Sequence, residues 1–141
     1  MTSTHGQLDI DRIMVAPVRS VWAAWTTEAG LARWWWAGWD DTTYSVDLRV
    51  GGRYRIEAPA AGIAVHGEYV VLDAPNRLEM TWVWVDEDGE GPVEQVAVDF
   101  VGEDGGTRVR VRHTGPWTTS DPSESYRQGW DHVLTMLAAV D

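Results

Sequence analysis

Cysteine is absent from this chain of 141 residues, which rules out disulfides, thiolate nucleophiles and cysteine-ligated zinc. The fold must therefore rest on packing. Phenylalanine occurs once. No apolar run approaches the roughly eighteen residues of a membrane span, and the segment MTSTHGQLDID has neither the basic end nor the apolar stretch of a signal peptide. The expectation is a soluble cytoplasmic protein, with residues 1–7 as a flexible tail and residues 8–141 as one domain. Basic side chains are also scarce: 11 Lys and Arg stand against 22 Asp and Glu, for a formal net charge of −11. Phosphate neutralisation needs clustered bases, so nucleic acid is excluded as a partner, and an anionic membrane surface is disfavoured for the same reason.

Tryptophan is abundant instead, at 10 residues, within a composition that is 44% hydrophobic. Each indole brings a large apolar face and one N–H donor, which suits either a core or a wall facing an amphipathic ligand. The last twenty residues, Asp121 to Val140, read as one amphipathic helix. Spacings of four, three and four place Tyr126, Trp130, Val133 and Leu137 on one stripe, with Arg127, Asp131 and Thr135 away from its centre. Asp121 is positioned to cap it, Pro122 suits the first helical position, and Glu124 suits a capping-box acid. With Gly129 beside Trp130, the stripe could close a dry core or roof a cavity.

Upstream, Leu8 to Val15 reads as a first strand ended by Pro17, followed by a helix over about 17–26 on Val18, Val21, Trp22 and Trp25. Glu28 to Trp35 reads as a second short helix, weakened by Gly30. From Tyr44 to His113 the period changes to two. Strands are expected near 44–50, 53–57, 64–73, 77–85, 93–102 and 107–114, separated by Gly-, Pro-, Asn- and Asp-rich turns. The result is an α+β class: an antiparallel sheet of about seven strands, two short helices after the first, and a long C-terminal helix. Alternation turns Leu78, Met80, Trp82 and Trp84 inward, with Val96, Val98 and Phe100, and Val109, Val111 and His113. Arg108, Arg110 and Arg112 then face water. In 64–72, Val70 and Leu72 are the better core residues, and they bring His66 and Glu68 inward with them.

The ordered series Ala16-Pro17 to Val21-Trp22, Leu31 to Trp34-Trp35, Val46-Asp47-Leu48-Arg49-Val50-Gly51-Gly52-Arg53-Tyr54, Pro75 to Arg77-Leu78 with Thr81-Trp82, Gly106-Thr107, Val109 to His113, and Gly129-Trp130 resembles the SRPBCC superfamily over about residues 8–140. Within it, the chain is similar to the group named after the activator of heat-shock protein 90 ATPase. The resemblance implies the helix-grip fold of START domains and birch-pollen allergens, with an internal hydrophobic cavity. It does not select a function, because that fold hosts carriers, cyclases, chaperone cofactors and natural-product resistance proteins. Trp36, Trp39, Trp84 and Trp117 go beyond the family pattern.

Three functions follow from these readings. The leading one is binding of a small hydrophobic or aromatic molecule in the cavity. Its expected lining is Trp34, Trp36, Trp39, Tyr54, His66, Val70, Met80, Trp82, Trp84, Val98, Phe100, Val111, His113, Trp117, Tyr126, Trp130 and Leu134. The second is a cyclase- or hydrolase-like enzyme with His113, His66 or Glu68 as acid or base. The third is a chaperone-associated interaction domain, disfavoured because the additional N-terminal segment of the eukaryotic activators is not seen; a protein partner or homodimer stays open. For His113 the plainer alternative is that it caps its strand and bonds the loop at Gly115-Pro116. His66 and Glu68 could equally sit in water at an open edge. The Trp34–Trp36 and Trp39 cluster could rim a pocket or staple the second helix to the sheet. The four His are dispersed and no metal, triad or phosphate motif is present, so no metal or cofactor is expected.

Overall fold

A computed structural model describes residues 6–140. A strand β1 (Gln7–Met14) leads into helix α1 (Val18–Thr26) and one turn of helix α2 (Glu28–Leu31). Strands β2 (Thr43–Val46), β3 (Arg53–Ala58), β4 (Ile63–Asp73), β5 (Arg77–Asp86), β6 (Gly89–Glu90), β7 (Glu94–Glu103) and β8 (Gly106–Thr114) follow, and helix α3 (Asp121–Ala138) ends the order. The sheet is antiparallel in the order β1-β8-β7-β5-β4-β3-β2, with the two-residue β6 paired to β5. This is the α+β architecture expected, with seven strands on the main path. Of the tail proposed for residues 1–7, the first five lie outside the described residues, and its last member, Gln7, opens β1 opposite Thr114.

One face of the sheet packs against the helices. Leu78, Met80 and Trp82 of β5, Val96, Val98 and Phe100 of β7, and Val109, Val111 and His113 of β8 are all buried there, as alternation requires. From α3, Trp130, Val133, Leu134 and Leu137 close on them, and from α1, Val21 and Trp25.

Three local readings are corrected. In β4 the buried residues are Ala64, Val65, Gly67 and Tyr69, while Val70 is 47% exposed and Glu68 faces solvent. The reason is a β-bulge between Tyr69 and Val71. The extra residue inverts the parity, so a pattern anchored on Leu72 is wrong by one everywhere before the bulge. The second helix stops at Leu31 rather than Trp35, and irregular turns carry the chain to Trp36 in the left-handed region at φ 52°. For α3, Ser120 rather than Asp121 occupies the cap position, with Asp121 and Pro122 in the first turn.

Candidate functional site

The interior between sheet and helices is built from indoles. Trp25 stacks on Trp130 with centroids 6.0 Å apart; Trp35 meets Trp130 at 5.4 Å, and Trp82 meets it at 5.3 Å. The residual space in the middle of this layer is only about 10 Å³, between Trp35, Tyr54, Met80 and their neighbours. The expected cavity therefore lies elsewhere. At the N-terminal end of α3 a cleft of about 330 Å³ opens between Trp35, Trp36, Trp82 and Trp84 on one side and Tyr126, Gly129, Trp130 and Val133 on the other. Pro122 and the exposed Ser125 form its mouth.

Of the expected lining residues, Trp36, Trp82, Trp84, Tyr126 and Trp130 meet in this cleft. Trp34, Val98, Phe100, Val111 and Leu134 are fully packed core, and Trp34 donates to the Ala24 carbonyl at 2.9 Å. Tyr54 and Met80 line the small residual space instead of the cleft, and the Tyr54 hydroxyl donates to the Thr81 carbonyl at 2.6 Å. Trp39 is exposed and leans on Trp36 at 6.3 Å. Val70, His66 and Glu68 lie on the outer side of β4, where His66 Nε2 is 3.0 Å from Glu90 Oε2.

His113 and Trp117 stand directly behind Tyr126, with ring centroids 4.3 Å and 5.7 Å from it. His113 does not reach the Gly115-Pro116 loop through its ring. The Trp130 indole N–H donates to its Nδ1 at 3.1 Å, and its Nε2 lies 2.8 Å from Glu94 Oε1. An indole nitrogen can only donate, so Nδ1 must be a bare acceptor; the ring is neutral, with its hydrogen on Nε2 donated to Glu94. Burial lowers the His113 pKa, partly offset by Glu94, which agrees with a neutral ring. The other oxygen of Glu94 accepts from Trp117 Nε1 at 2.8 Å. Gly115 is needed for this arrangement, since a Cβ there would lie 2.4 Å from the Trp117 ring nitrogen.

Tyr126 closes the network toward the cleft, its hydroxyl 3.4 Å from Trp82 Nε1. Its pKa is pushed far up by burial first, then by the negative charges of Glu94 and Asp86. The hydroxyl therefore stays protonated. Five indole N–H groups thus have acceptors: those of Trp34, Trp82, Trp84, Trp117 and Trp130. Those of Trp25 and Trp35 are buried with none. No group of metal-binding side chains occurs among the described residues.

Glu94 is the residue sequence reading missed with a signal in plain view. It lies two positions before Val96 in the same alternating strand, so extending the inward row one step would have found it. Trp35 belonged to a cluster that could rim a pocket or staple the second helix, Gly129 and Val133 to a stripe that could roof a cavity, and Pro122 and Ser125 gave no ligand signal.

An open antiparallel sheet packed against a long C-terminal helix is the helix-grip fold of the SRPBCC superfamily. Residues 15–140 match the model of the Activator of Hsp90 ATPase homolog 1-like proteins, and the chain belongs to that family. Among solved structures, it is similar to DynU16, a protein of the dynemicin biosynthetic locus, at 22% identity and TM-score 0.80, over 95% of this chain and 46% of that one. This chain thus spans about half the length of DynU16. CalU16 from Micromonospora echinospora aligns at 25% identity and TM-score 0.72, over 94% and 74% of the two chains. An HSP90 activator from Plasmodium falciparum aligns at 19% identity and TM-score 0.71, over 92% and 91%. No curated protein sequence matches significantly. No helix among the described residues is long and apolar enough to cross a membrane.

Proposed function

We propose that the protein binds a small hydrophobic or aromatic molecule in the cleft under the first turns of α3, in a carrier, sequestration or natural-product resistance role. The observation that carries this reading is Gly129. It sits inside an 18-residue helix, where glycine costs about 1 kcal/mol relative to alanine. Yet a Cβ built on it meets nothing within 4 Å. Packing does not require the glycine, and Gly129 lines the cleft. The volume of about 330 Å³ falls in the range of small-molecule pockets. The likeness to a protein of the dynemicin biosynthetic locus supports a natural-product ligand.

An acid–base enzyme has less support. His66 and Glu68 are on the far side of the sheet, and His113 is fully buried with both ring nitrogens engaged. Titration with the neutral probe N-phenyl-1-naphthylamine tests the binding reading. Saturable quenching of tryptophan fluorescence and a rise in Tm are expected for the wild type. Gly129→Leu should abolish both while its own Tm holds or rises, since leucine suits a helix and fills the cleft. No saturable signal in the wild type, or unchanged binding in Gly129→Leu, would overturn it and leave a chaperone-associated surface as the better reading.

A further inference from the structure

The rim of the cleft has a geometry that plain apolarity does not require. Trp36 and Trp84 stand at 86° with centroids 5.8 Å apart, Trp84 and Tyr126 at 80° and 6.1 Å, and Tyr126 and Trp82 at 87° and 5.9 Å. Four rings thus stand nearly perpendicular in succession, and all four line the cleft. Trp36 is held there in a left-handed backbone conformation, at φ 52°, which is strained for a bulky residue.

Electrostatics point the same way. The Trp84 indole N–H donates to Asp86 Oδ2 at 3.1 Å, which puts a carboxylate at the rim and makes that ring more electron-rich. Both Asp86 and the buried Glu94 act on the Tyr126 hydroxyl with negative charge. Among the described residues, none lining the cleft is basic. The chain as a whole carries −11. A ring face is the negative part of an aromatic quadrupole, and several such faces around a desolvated space attract an alkylated ammonium group.

We infer that the ligand is cationic: a small aromatic or alicyclic molecule bearing an alkylated ammonium group, seated with that group between Trp36, Trp84 and Tyr126 and its apolar body against Trp35 and Trp130. This rests on the ligand-binding reading above and adds the charge of the ligand to it.

Two probes of equal shape separate the two claims: trimethyl(4-hydroxyphenyl)ammonium and its carbon isostere 4-tert-butylphenol, titrated by calorimetry. The cation is expected to bind about 3–30-fold more tightly. Trp84→Leu and, independently, Trp36→Leu keep the wall apolar and should erase the preference by weakening the cation alone. Added salt should weaken the cation more than the phenol. Equal affinity, or tighter binding of the neutral isostere, would overturn the cation site and leave hydrophobic binding standing. Binding of neither would overturn both. A concentration-dependent dimer that the cation fails to dissociate would show that a second copy of the chain occupies the cleft instead.

Discussion

The two faces of the sheet carry the same pair of side chains in opposite surroundings. On the inner face His113 and Glu94 are 2.8 Å apart, with side chains 0% and 4% exposed. On the outer face His66 and Glu90 are 3.0 Å apart, with side chains 28% and 63% exposed. The distance is almost the same, but only the inner pair is fixed by further donors, Trp130 on the imidazole and Trp117 on the carboxylate. The hollows compare in the same way. The outer face has the larger one, about 440 Å³ against about 330 Å³, but it is floored by side chains that satisfy each other, such as Arg77 with Asp99 at 2.7 Å and Arg112 with Asp9 at 2.9 Å. A hollow offers a ligand something only where its walls have unspent interactions. Most of the outer charges are spent on one another, Arg110 excepted, whereas the cleft is lined by indoles with no charged side chain among them.

The hardest test of that contrast is Trp130, which belongs at once to the core, the cleft and the His113 network. Trp130→Ala should destabilise the protein by about 3–5 kcal/mol, read from the urea midpoint at constant slope. It removes the stacked partner of Trp25 and strips the donor from His113 Nδ1. A loss below about 1 kcal/mol with ligand binding abolished would make Trp130 a ligand contact only.

A smaller effect comes from pH. The folded pKa of His113 lies below its ordinary value near 6.5, so below that pH the unfolded chain takes up a proton that the folded chain refuses. Stability is therefore complete above about pH 6.5 and falls on acidification, by at most about 1.4 kcal/mol per pH unit. His113→Gln should flatten the slope between about pH 5 and 6.5, whatever it does to stability at pH 7.5. An unchanged slope would show that the burial of His113 does not govern this titration.

How far the sequence carried these conclusions depends on which residues had to be read. Strands β5, β7 and β8 were legible in the facing of most side chains, Glu94 and Val83 excepted, because Trp82 against Glu79 or Val111 against Arg112 separates the dry side from the wet one. In β4 the core set is split by the bulge at Tyr69–Val71, and no residue there announces it. The second helix ended early because Gly30 weakens it and Trp36 turns into the left-handed region, which hydrophobic spacing does not record. The cleft was partly legible. Its rings could be named from Trp abundance and parity, whereas its opening depends on what Gly129, Ser125 and Pro122 leave empty, and periodicity marks filled positions rather than voids.

The smallest expected effect lies on the outer face, at Asp9. Partial burial raises its pKa, but the hydrogen bonds and charge of Arg112, with a hydrogen bond from Gln7, win and hold it below the usual carboxylate value. A lowered folded pKa stabilises above the unfolded value near 3.9, and the contribution is lost as pH falls through the folded one. Both partners are more than half exposed, so water and salt screen most of the attraction. A double-mutant cycle with Asp9→Asn and Arg112→Gln should give a coupling of about 0.2–1 kcal/mol at low salt, fading toward zero in about 1 M NaCl. A coupling above about 2 kcal/mol, or one indifferent to salt, would show the outer ladder held as firmly as the inner network. The division between spent surface charge and an available cleft would then fail.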